Sequence, residues 1–161
     1  MKKLMNGAQM KRIDVYSIQE VGIPSLVLME RAALCVTEAV LEKIKKTDKV
    51  LCVCGSGNNG ADGMAVARQL TERGISAEVY TTAEEGKGTE ELNRQRAILQ
   101  KLGIVFVNDI LAGEYNCIID AVFGIGLSRT ITGRYEQIIA KINAAKDTGS
   151  LIVAVDTPSG I

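Results

Sequence analysis

The sequence predicts an α/β protein of the Rossmann-like type, a three-layer α/β/α sandwich around a mainly parallel sheet. Short, almost wholly apolar segments such as residues 49–54 and 151–155 alternate with amphipathic segments of helical periodicity. Apolar residues on both faces of a strand are typical of parallel strands that helices cover from both sides. The length of 161 residues corresponds to one domain, and no linker or repeat interrupts the alternation.

Five segments carry the pattern of amphipathic helices. The first, over residues 7–21, is mostly polar, and Pro24 opens a second, long helix whose apolar residues recur every three or four positions. Three more helices are predicted over residues 61–73, 89–102 and 134–146. Gly74 and Gly103 follow two of these helices, at the position where glycine commonly ends a helix.

Five apolar segments are predicted strands. They cover residues 49–54, 76–80, 104–107, 117–121 and 151–155. Helical crossovers between parallel strands are right-handed, which favours the strand order 3-2-1-4-5 in a doubly wound sheet. In that order the last strand lies at the sheet edge although it is apolar on both faces, so we expect it to be poorly protected and prone to self-association.

The charge balance and the lack of histidine exclude whole classes of function. Lys and Arg together number 19, as do Asp and Glu, so there is no net positive charge for a general nucleic-acid or anionic-membrane surface. No run of about 18 apolar residues occurs, and a cytoplasmic protein without a membrane partner is predicted. Without histidine the chain cannot build a Ser-His-Asp or Cys-His nucleophile system, so proton transfer falls to Asp, Glu, Lys, Tyr, Cys or water.

The four cysteines are Cys35, Cys52, Cys54 and Cys117, and none of them forms a C-x-x-C pair. Two of them lie within the apolar run of the first predicted strand. Because free cysteine is among the most buried residue types, all four are predicted to be reduced and buried.

A glycine-rich segment directly after the first strand is the strongest local signal. Residues 55–63 read GSGNNGADG, with G-x-G-x-x-G between a predicted strand and a predicted helix. Glycines let the main chain approach a phosphate, and the helix N-terminus offers it free N–H groups. The alternative is an ordinary strand-to-helix turn with Asp62 as a first-turn acidic residue. Residues 80–82 lack the acidic side chain that holds the ribose in NAD-dependent dehydrogenases, and no G-K-[ST] of a P-loop follows the glycines.

Two further strands end in an aspartate that a loop follows. Asp120 precedes the loop of residues 124–130, and Asp156 precedes the loop of residues 157–160. In a 3-2-1-4-5 sheet these loops and the glycine-rich segment meet outside the carboxyl ends of the strands. Open sheets bind their ligands at this place.

Side chains in these loops offer oxygen ligands to a cation. Asn59, Asp120 and Ser159 suit a hard ion rather than zinc or copper. Their types do not choose between potassium, sodium, magnesium and a site without an ion.

Three motifs stand together in this chain. They are CGSGNNGADG over residues 54–63, IDAVFGIGLSR over residues 119–129 and VDTPSG over residues 155–160. Together they resemble the NAD(P)H-hydrate epimerase family, whose domain is also called the YjeF N-terminal domain. The opening segment, with Met10 and Asp14, is similar to the leading helices of that family, so the resemblance covers essentially the whole chain.

The resemblance implies an enzyme that epimerises C6 of NADHX and NADPHX, the hydrates of the reduced nicotinamide dinucleotides. It implies Asp156 as a substrate contact and as the acid/base candidate at the hydrated ring, and potassium held by Asn59, Asp120 and Ser159. The substrate-binding residues that it implies are Asn58, Asn59, Gly60, Ala61, Asp62, Gly124, Ile125, Gly126, Leu127, Ser128, Arg129, Thr130 and Asp156.

The sequence departs from the family pattern at two positions and at its end. Ala61 stands where a second glycine is usual, and Thr157 where isoleucine is common. Family domains continue past the P-S-G loop, so residues 1–161 are predicted to be a single domain that lacks its C-terminal part. The resemblance leaves open a homodimer and a fused ADP- or ATP-dependent hydrate dehydratase domain in a longer repair enzyme. The alternative function is a non-catalytic nucleotide-binding or partner-binding module of the same fold.

Overall fold

The computed structural model of the chain describes residues 5–127 and 130–160. In these ranges the helices are α1 (Gly7–Gln19), α2 (Ser25–Leu41), α3 (Asn58–Glu72), α4 (Glu90–Lys101) and α5 (Arg134–Asp147). The strands are β1 (Lys49–Cys54), β2 (Ser76–Thr81), β3 (Phe106–Val107), β4 (Cys117–Ala121) and β5 (Leu151–Ala154). None of the helices in the described ranges has the length and apolar character needed to cross a lipid bilayer.

The strands of the described chain form one parallel sheet in the order β3-β2-β1-β4-β5. The predicted α/β class and strand order are therefore confirmed. β1 lies at the centre, where Val50 is in register with Ala77 of β2 and with Cys117 of β4. Because the chain proceeds from β1 towards one edge and from β4 towards the other, a crevice opens outside the carboxyl ends of these two strands.

Helix α3 begins three residues earlier than the sequence predicts. Gly57 is its N-cap, with extended backbone at φ −103° and ψ −167°, and its carbonyl accepts a hydrogen bond from the Ala61 N–H at 3.1 Å. The helix therefore starts inside the glycine-rich segment, and Asp62 becomes its fifth residue. The first turn of α3 holds no acidic residue, so the reading of Asp62 as a first-turn acidic residue is wrong.

The third strand is shorter than the predicted 104–107. The Ile104 N–H donates to the Leu99 carbonyl at 3.0 Å, in the turn that Gly103 makes at φ +71° to end α4. This main-chain group closes the helix and does not join the ladder, although the Ile104 side chain is buried. Regular pairing with β2 is thus limited to Phe106 and Val107.

Two apolar layers lie on opposite faces of the sheet. Side chains of α2, α3 and α4 cover one face, where they meet alternate residues of β1 such as Cys52. On the other face α5 places Ile138 and Ile142 against Leu51 and Ile118. The sheet is therefore covered on both sides, which accounts for the near absence of polar residues in its central strands.

Glu30 ties together the three helices on the first face. Its carboxylate accepts from Arg68 of α3 at 2.5 and 2.6 Å, from Gln69 of α3 at 3.0 Å and from Gln95 of α4 at 3.2 Å. Because charge-assisted hydrogen bonds have defined directions, these contacts fix the position of α2 across α3.

The cysteine prediction is correct at three positions and wrong at one. Cys52, Cys54 and Cys117 are fully buried in the sheet, and their thiols are free. Cys35 is exposed on α2. Apolar residues occur on several sides of α2, and Val27 is also exposed, so periodicity does not identify which side faces the core.

Two glycines let α3 lie unusually close to β1 and β4. A Cβ atom at Gly60 would lie 2.0 Å from the main-chain oxygen of Gly55, and one at Gly63 would lie 2.4 Å from the Ala121 Cβ. Neither glycine is needed for a positive φ. Their role is close packing, which holds the N-terminal end of α3 directly over the ends of the strands.

Replacing Gly60 with alanine is expected to destabilise the fold by about 2 kcal/mol or more, because main chain would have to move. Gly126→Ala is the matched control, since a Cβ there meets no atom within 4 Å, and its effect should stay within about 0.5 kcal/mol. Urea unfolding of both variants measures the difference. Equal stabilities would contradict the packing role of Gly60.

Candidate functional site

A cleft of about 800 Å³ opens at the carboxyl ends of β1, β4 and β5. The glycine-rich segment, the loop after β4 and Asp156 after β5 all contribute to its walls. Its lining residues are Met10, Asp14, Ala32, Ser56, Gly57, Asn58, Asn59, Asp62, Thr89, Val122, Phe123, Gly124, Ile125, Gly126, Leu127, Tyr135, Val155 and Asp156. Segments far apart in sequence therefore meet at the switch point of the sheet.

The N-terminus of α3 faces this cleft without a side-chain cap. Gly57 and Asn58 line the cleft and are exposed, and no side chain of the described residues accepts the N–H groups of the first turn. A Cβ at Gly57 would meet no atom within 4 Å, so this glycine leaves open space in front of the helix. Unpaired N–H groups and the helix dipole make such an end a favourable place for an anion.

Asp156 holds the loop after β4 in place. Its Oδ2 accepts a hydrogen bond from the Ile125 N–H at 2.8 Å. A Cβ at Gly124 would lie 2.7 Å from the same oxygen, so the loop can come this close only with glycine at that position. Among the described residues Oδ1 of Asp156 receives no hydrogen bond, so one oxygen of this cleft-lining carboxylate is available to a ligand.

A hydrogen-bond network joins the three loops behind the cleft. Oδ2 and Oδ1 of the buried Asp120 accept from the Ser159 N–H and the Ser159 hydroxyl, each at 2.7 Å. The Ser159 hydroxyl accepts in turn from the Phe123 N–H at 3.0 Å. Asn59 Nδ2 donates to the Phe123 carbonyl at 2.9 Å. Asn59, Asp120 and Ser159 thus meet around Phe123, in the loop after β4.

The oxygens of this network are those that hard cations prefer. They are one carboxylate, a hydroxyl and a main-chain carbonyl, and the Asn59 amide joins them through its nitrogen. Within residues 5–127 and 130–160 no three side chains of His, Cys, Asp or Glu come together as a transition-metal site would require. The oxygen donors therefore suit a hard cation in chemical type.

Three carboxyl groups line the cleft. Asp14 comes from α1, Asp62 from α3 and Asp156 from the end of β5. Burial above all, and then the negative charges of Asp156 and Asp14, together raise the pKa of Asp62 to about 7. At neutral pH the Asp62 carboxyl can therefore hold or release a proton, unlike an ordinary aspartate.

Several residues that the sequence assigns to the site lie elsewhere or are undescribed. Gly60 and Ala61 are fully buried inside α3 and do not line the cleft. Thr130 is exposed and is not among the lining residues. Ser128 and Arg129 lie outside the described residues.

Several elements, α1 and α5 among them, add cleft residues that the site prediction did not include. Met10 and Asp14 come from α1, which has no buried residue and so no clear core-facing stripe in the sequence. Tyr135 comes from the first turn of α5, where its ring lies 5.0 Å from that of Phe123. The only signal for Asp14 was the similarity of the opening segment to the leading helices of a known family.

The comparison with protein families assigns the chain. Residues 25–161 match the family described as YjeF-related protein N-terminus. The chain belongs to this family. The resemblance noted in the sequence is therefore confirmed, and the matched range contains all three motifs.

Relatives named NAD(P)H-hydrate epimerase are similar over nearly the whole chain. The protein from Limosilactobacillus fermentum is 40% identical over 161 residues, which cover 99% of this chain and 76% of that protein. The protein from Oenococcus oeni is 40% identical, covering 98% of this chain and 74% of its own length. The chain thus spans about three quarters of the length of these YjeF-related relatives.

A solved structure has the same fold. The crystal structure of the yeast protein ynu0 superposes with a TM-score of 0.87 over 99% of this chain and 72% of the yeast chain. The two sequences are 23% identical, so this likeness supports the fold of the YjeF-related domain alone.

Replacing Asp62 with asparagine is expected to stabilise the domain at high pH. The folded state raises the pKa of Asp62 from 3.8 to about 7. The free energy of unfolding is therefore higher at low pH, where Asp62 is protonated, and it falls as the pH rises between these two values. The amide carries no charge, and D62N should exceed the wild type by about 1–3 kcal/mol at pH 8. At pH 4 the difference should vanish.

Urea unfolding at both pH values measures this effect. Asp147→Asn, at the exposed end of α5, is the control and should differ little from the wild type at either pH. A D62N variant that is less stable than the wild type at pH 8 would show that the ionised carboxylate is not destabilising.

Proposed function

We propose that this chain is an NAD(P)H-hydrate epimerase, an isomerase that interconverts the R and S epimers of NADHX and NADPHX at C6 of the hydrated ring. The proposal rests above all on the 40% identity, over nearly the whole chain, to relatives of that name. A cleft at the switch point of the sheet, with carboxyl groups and an uncapped helix N-terminus, supports it.

The phosphates of the dinucleotide hydrate bind at the N-terminus of α3. Gly57 leaves open space there, and Asn58 and Asn59 lie in the first turn, where N–H groups have no partner within the helix. The cleft volume of about 800 Å³ lies within the range of roughly 300–1,000 Å³ that is usual for small-molecule sites.

The loop after β4 forms another wall of the cleft and covers the substrate there. Gly124, Ile125, Gly126 and Leu127 line the cleft, and the bond from the Ile125 N–H to Asp156 holds them beside it. Ser128, Arg129 and Thr130 stay predictions as substrate contacts, and so do the buried Gly60 and Ala61, which could act only through the shape of α3.

Asp156 is the acid/base residue at the hydrated ring. One of its oxygens is held by the Ile125 N–H, which fixes the side chain, and the other receives no hydrogen bond from the described residues. The chain has no histidine that could take this role. Fixed position and preorganised charge, rather than a covalent nucleophile, would supply the rate.

Asn59, Asp120 and Ser159 would hold a potassium ion. The network that joins them supplies carboxylate and hydroxyl oxygens beside the Phe123 carbonyl, to which the Asn59 amide nitrogen donates. When bound, the ion supplies positive charge next to the substrate and a fixed anchor for the loops. The residues themselves position the loop after β4. The Ser159 hydroxyl accepts from the Phe123 N–H, and the Asn59 amide donates to the Phe123 carbonyl.

Three further expectations from the sequence stay predictions. They are a cytoplasmic location, a homodimer, and a hydrate dehydratase domain in the same polypeptide. Size-exclusion chromatography with light scattering measures directly whether the protein is a homodimer.

The Asp156→Asn variant distinguishes an epimerase from a binding module. If the proposal is correct, the wild type accelerates exchange between the two NADHX epimers, followed by NMR or chromatography, and D156N reduces kcat by about 10²–10⁴-fold. Binding of the dinucleotide hydrate should change less than threefold. A wild type that binds NADHX but leaves the exchange rate unchanged would support the non-catalytic nucleotide-binding module instead.

Removal of one cation ligand is expected to raise the potassium requirement. Ser159→Ala deletes the hydroxyl, and with it the acceptor of the Phe123 N–H, but keeps the main-chain bond to Asp120, so the KCl concentration for half-maximal epimerisation should rise at least several-fold. Tetramethylammonium chloride at equal ionic strength is the control and should not activate. Equal activity in both salts would argue against a potassium site.

A further inference from the structure

Asp62 is a partly buried carboxyl group for which the fold provides no structural partner. Among the described residues no main-chain or side-chain donor bonds to its carboxyl group, and its place beyond the first turn of α3 excludes a capping role. Burial, Asp156 and Asp14 all raise its pKa, to about 7. A group that reduces stability and makes no bond of its own is typical of a residue kept for function.

Epimerisation at C6 needs two groups in opposite protonation states. C6 bears a hydroxyl group and is bonded to the ring nitrogen N1, so the hydroxyl leaves as water when an acid protonates it. Water must then add to the opposite face of the ring while a base takes up its extra proton. By microscopic reversibility the two groups exchange roles in the reverse direction.

We infer that Asp62 is a second catalytic residue, the carboxylic acid that protonates the departing C6 hydroxyl, while the carboxylate of Asp156 receives the proton of the incoming water. The inference rests on the proposed function and on the position of both side chains in one cleft, on α3 and after β5. Proton donation by Asp62 goes beyond the substrate contact that the family resemblance implies for this residue.

The atoms and electrons of the step balance. The C6–O bond breaks with its electron pair going to oxygen, which takes the Asp62 proton and leaves as water, while the N1 lone pair forms a C6=N1 double bond. A water oxygen then bonds to C6 from the other face, the double-bond electrons return to N1, and the water gives one proton to Asp156. Asp62 has lost one proton and Asp156 has gained one, and exchange with solvent or a turnover in the reverse direction restores both.

The charged groups around Asp62 set the pH at which it can donate. Asp14 from α1 and Asp156 are the charged side chains that line the cleft with it in the described ranges. From β1, the fully buried thiol of Cys54 stays neutral, because burial raises its pKa. The Asp14 carboxylate therefore helps to keep Asp62 protonated without touching C6 in this scheme.

The test is the pH profile of NADHX epimerisation by the full chain and three variants. For the wild type we expect kcat/KM to fall above pH 7, as Asp62 loses its proton. Asp62→Asn should lower kcat at least 100-fold with less than a threefold change in KM, and the alkaline decline should disappear. Asp147→Asn, far from the cleft on the exposed end of α5, should match the wild type.

Asp14→Asn separates a proton-transfer role from a structural one. Loss of the nearby negative charge lowers the pKa of Asp62, so the alkaline decline should move to lower pH and still be present. A purely structural Asp62 would give no such shift. Reaction in H₂¹⁸O should also incorporate one solvent oxygen at C6 per epimerisation, because the original hydroxyl leaves as water.

The outcomes separate this inference from the proposed function. If the wild type epimerises NADHX and D62N keeps more than half of its kcat, or if no solvent oxygen enters, the inference is overturned and the function stands. A wild type that does not accelerate epimer exchange at all overturns both. Since D62N is expected to fold at least as stably as the wild type, a loss of its activity is not explained by unfolding.

Discussion

The close approach of α3 to β1 and β4 is the constraint on which the rest of the structure depends. At Gly60 and Gly63 the helix lies so near the strands that a single methyl group would overlap main chain or a neighbouring side chain. This approach carries the N-terminus of α3 to the point where β1 and β4 diverge. Asn59 can therefore reach the Phe123 carbonyl, and the second loop is fixed relative to the first.

Hydrogen bonds between the loops of the cleft hold the loops in place, and these bonds form only because the fold brings the loops together. Asp120 accepts from Ser159, Ser159 accepts from Phe123, and Asp156 accepts from Ile125. The bonds of Asp120 and Asp156 join the ends of β4 and β5 to each other's loops, and the bond from Phe123 to Ser159 joins the two loops directly. Fixed dipoles around a site are what electrostatic catalysis requires, because they need no reorganisation during the reaction.

Asp120 behind the cleft and Asp62 in its wall contribute to stability in opposite ways. Asp120 is buried, yet both of its oxygens accept short hydrogen bonds, whereas Asp62 has a raised pKa and no bond from the described residues. The hydrogen bonds of Asp120 stabilise the loops, whereas the surroundings of Asp62 destabilise its charged form. Such a division between structural and reactive carboxyl groups is common in enzyme sites, where neighbours and burial separate the pKa values of like residues.

The sequence by itself determined the α/β class, the strand order and the meeting of three loops, because alternation of apolar strands with amphipathic helices and the rules of crossover handedness depend on local pattern. Only the tertiary structure decided that α3 starts at Asn58, that Gly60 and Ala61 are packing positions and that Ile104 closes a helix. Likewise, Asp14 reaches the cleft from a helix without buried residues, and Asp62 acquires its high pKa there. These features depend on distances between segments that are remote in sequence, and such distances leave no periodic signal in the chain.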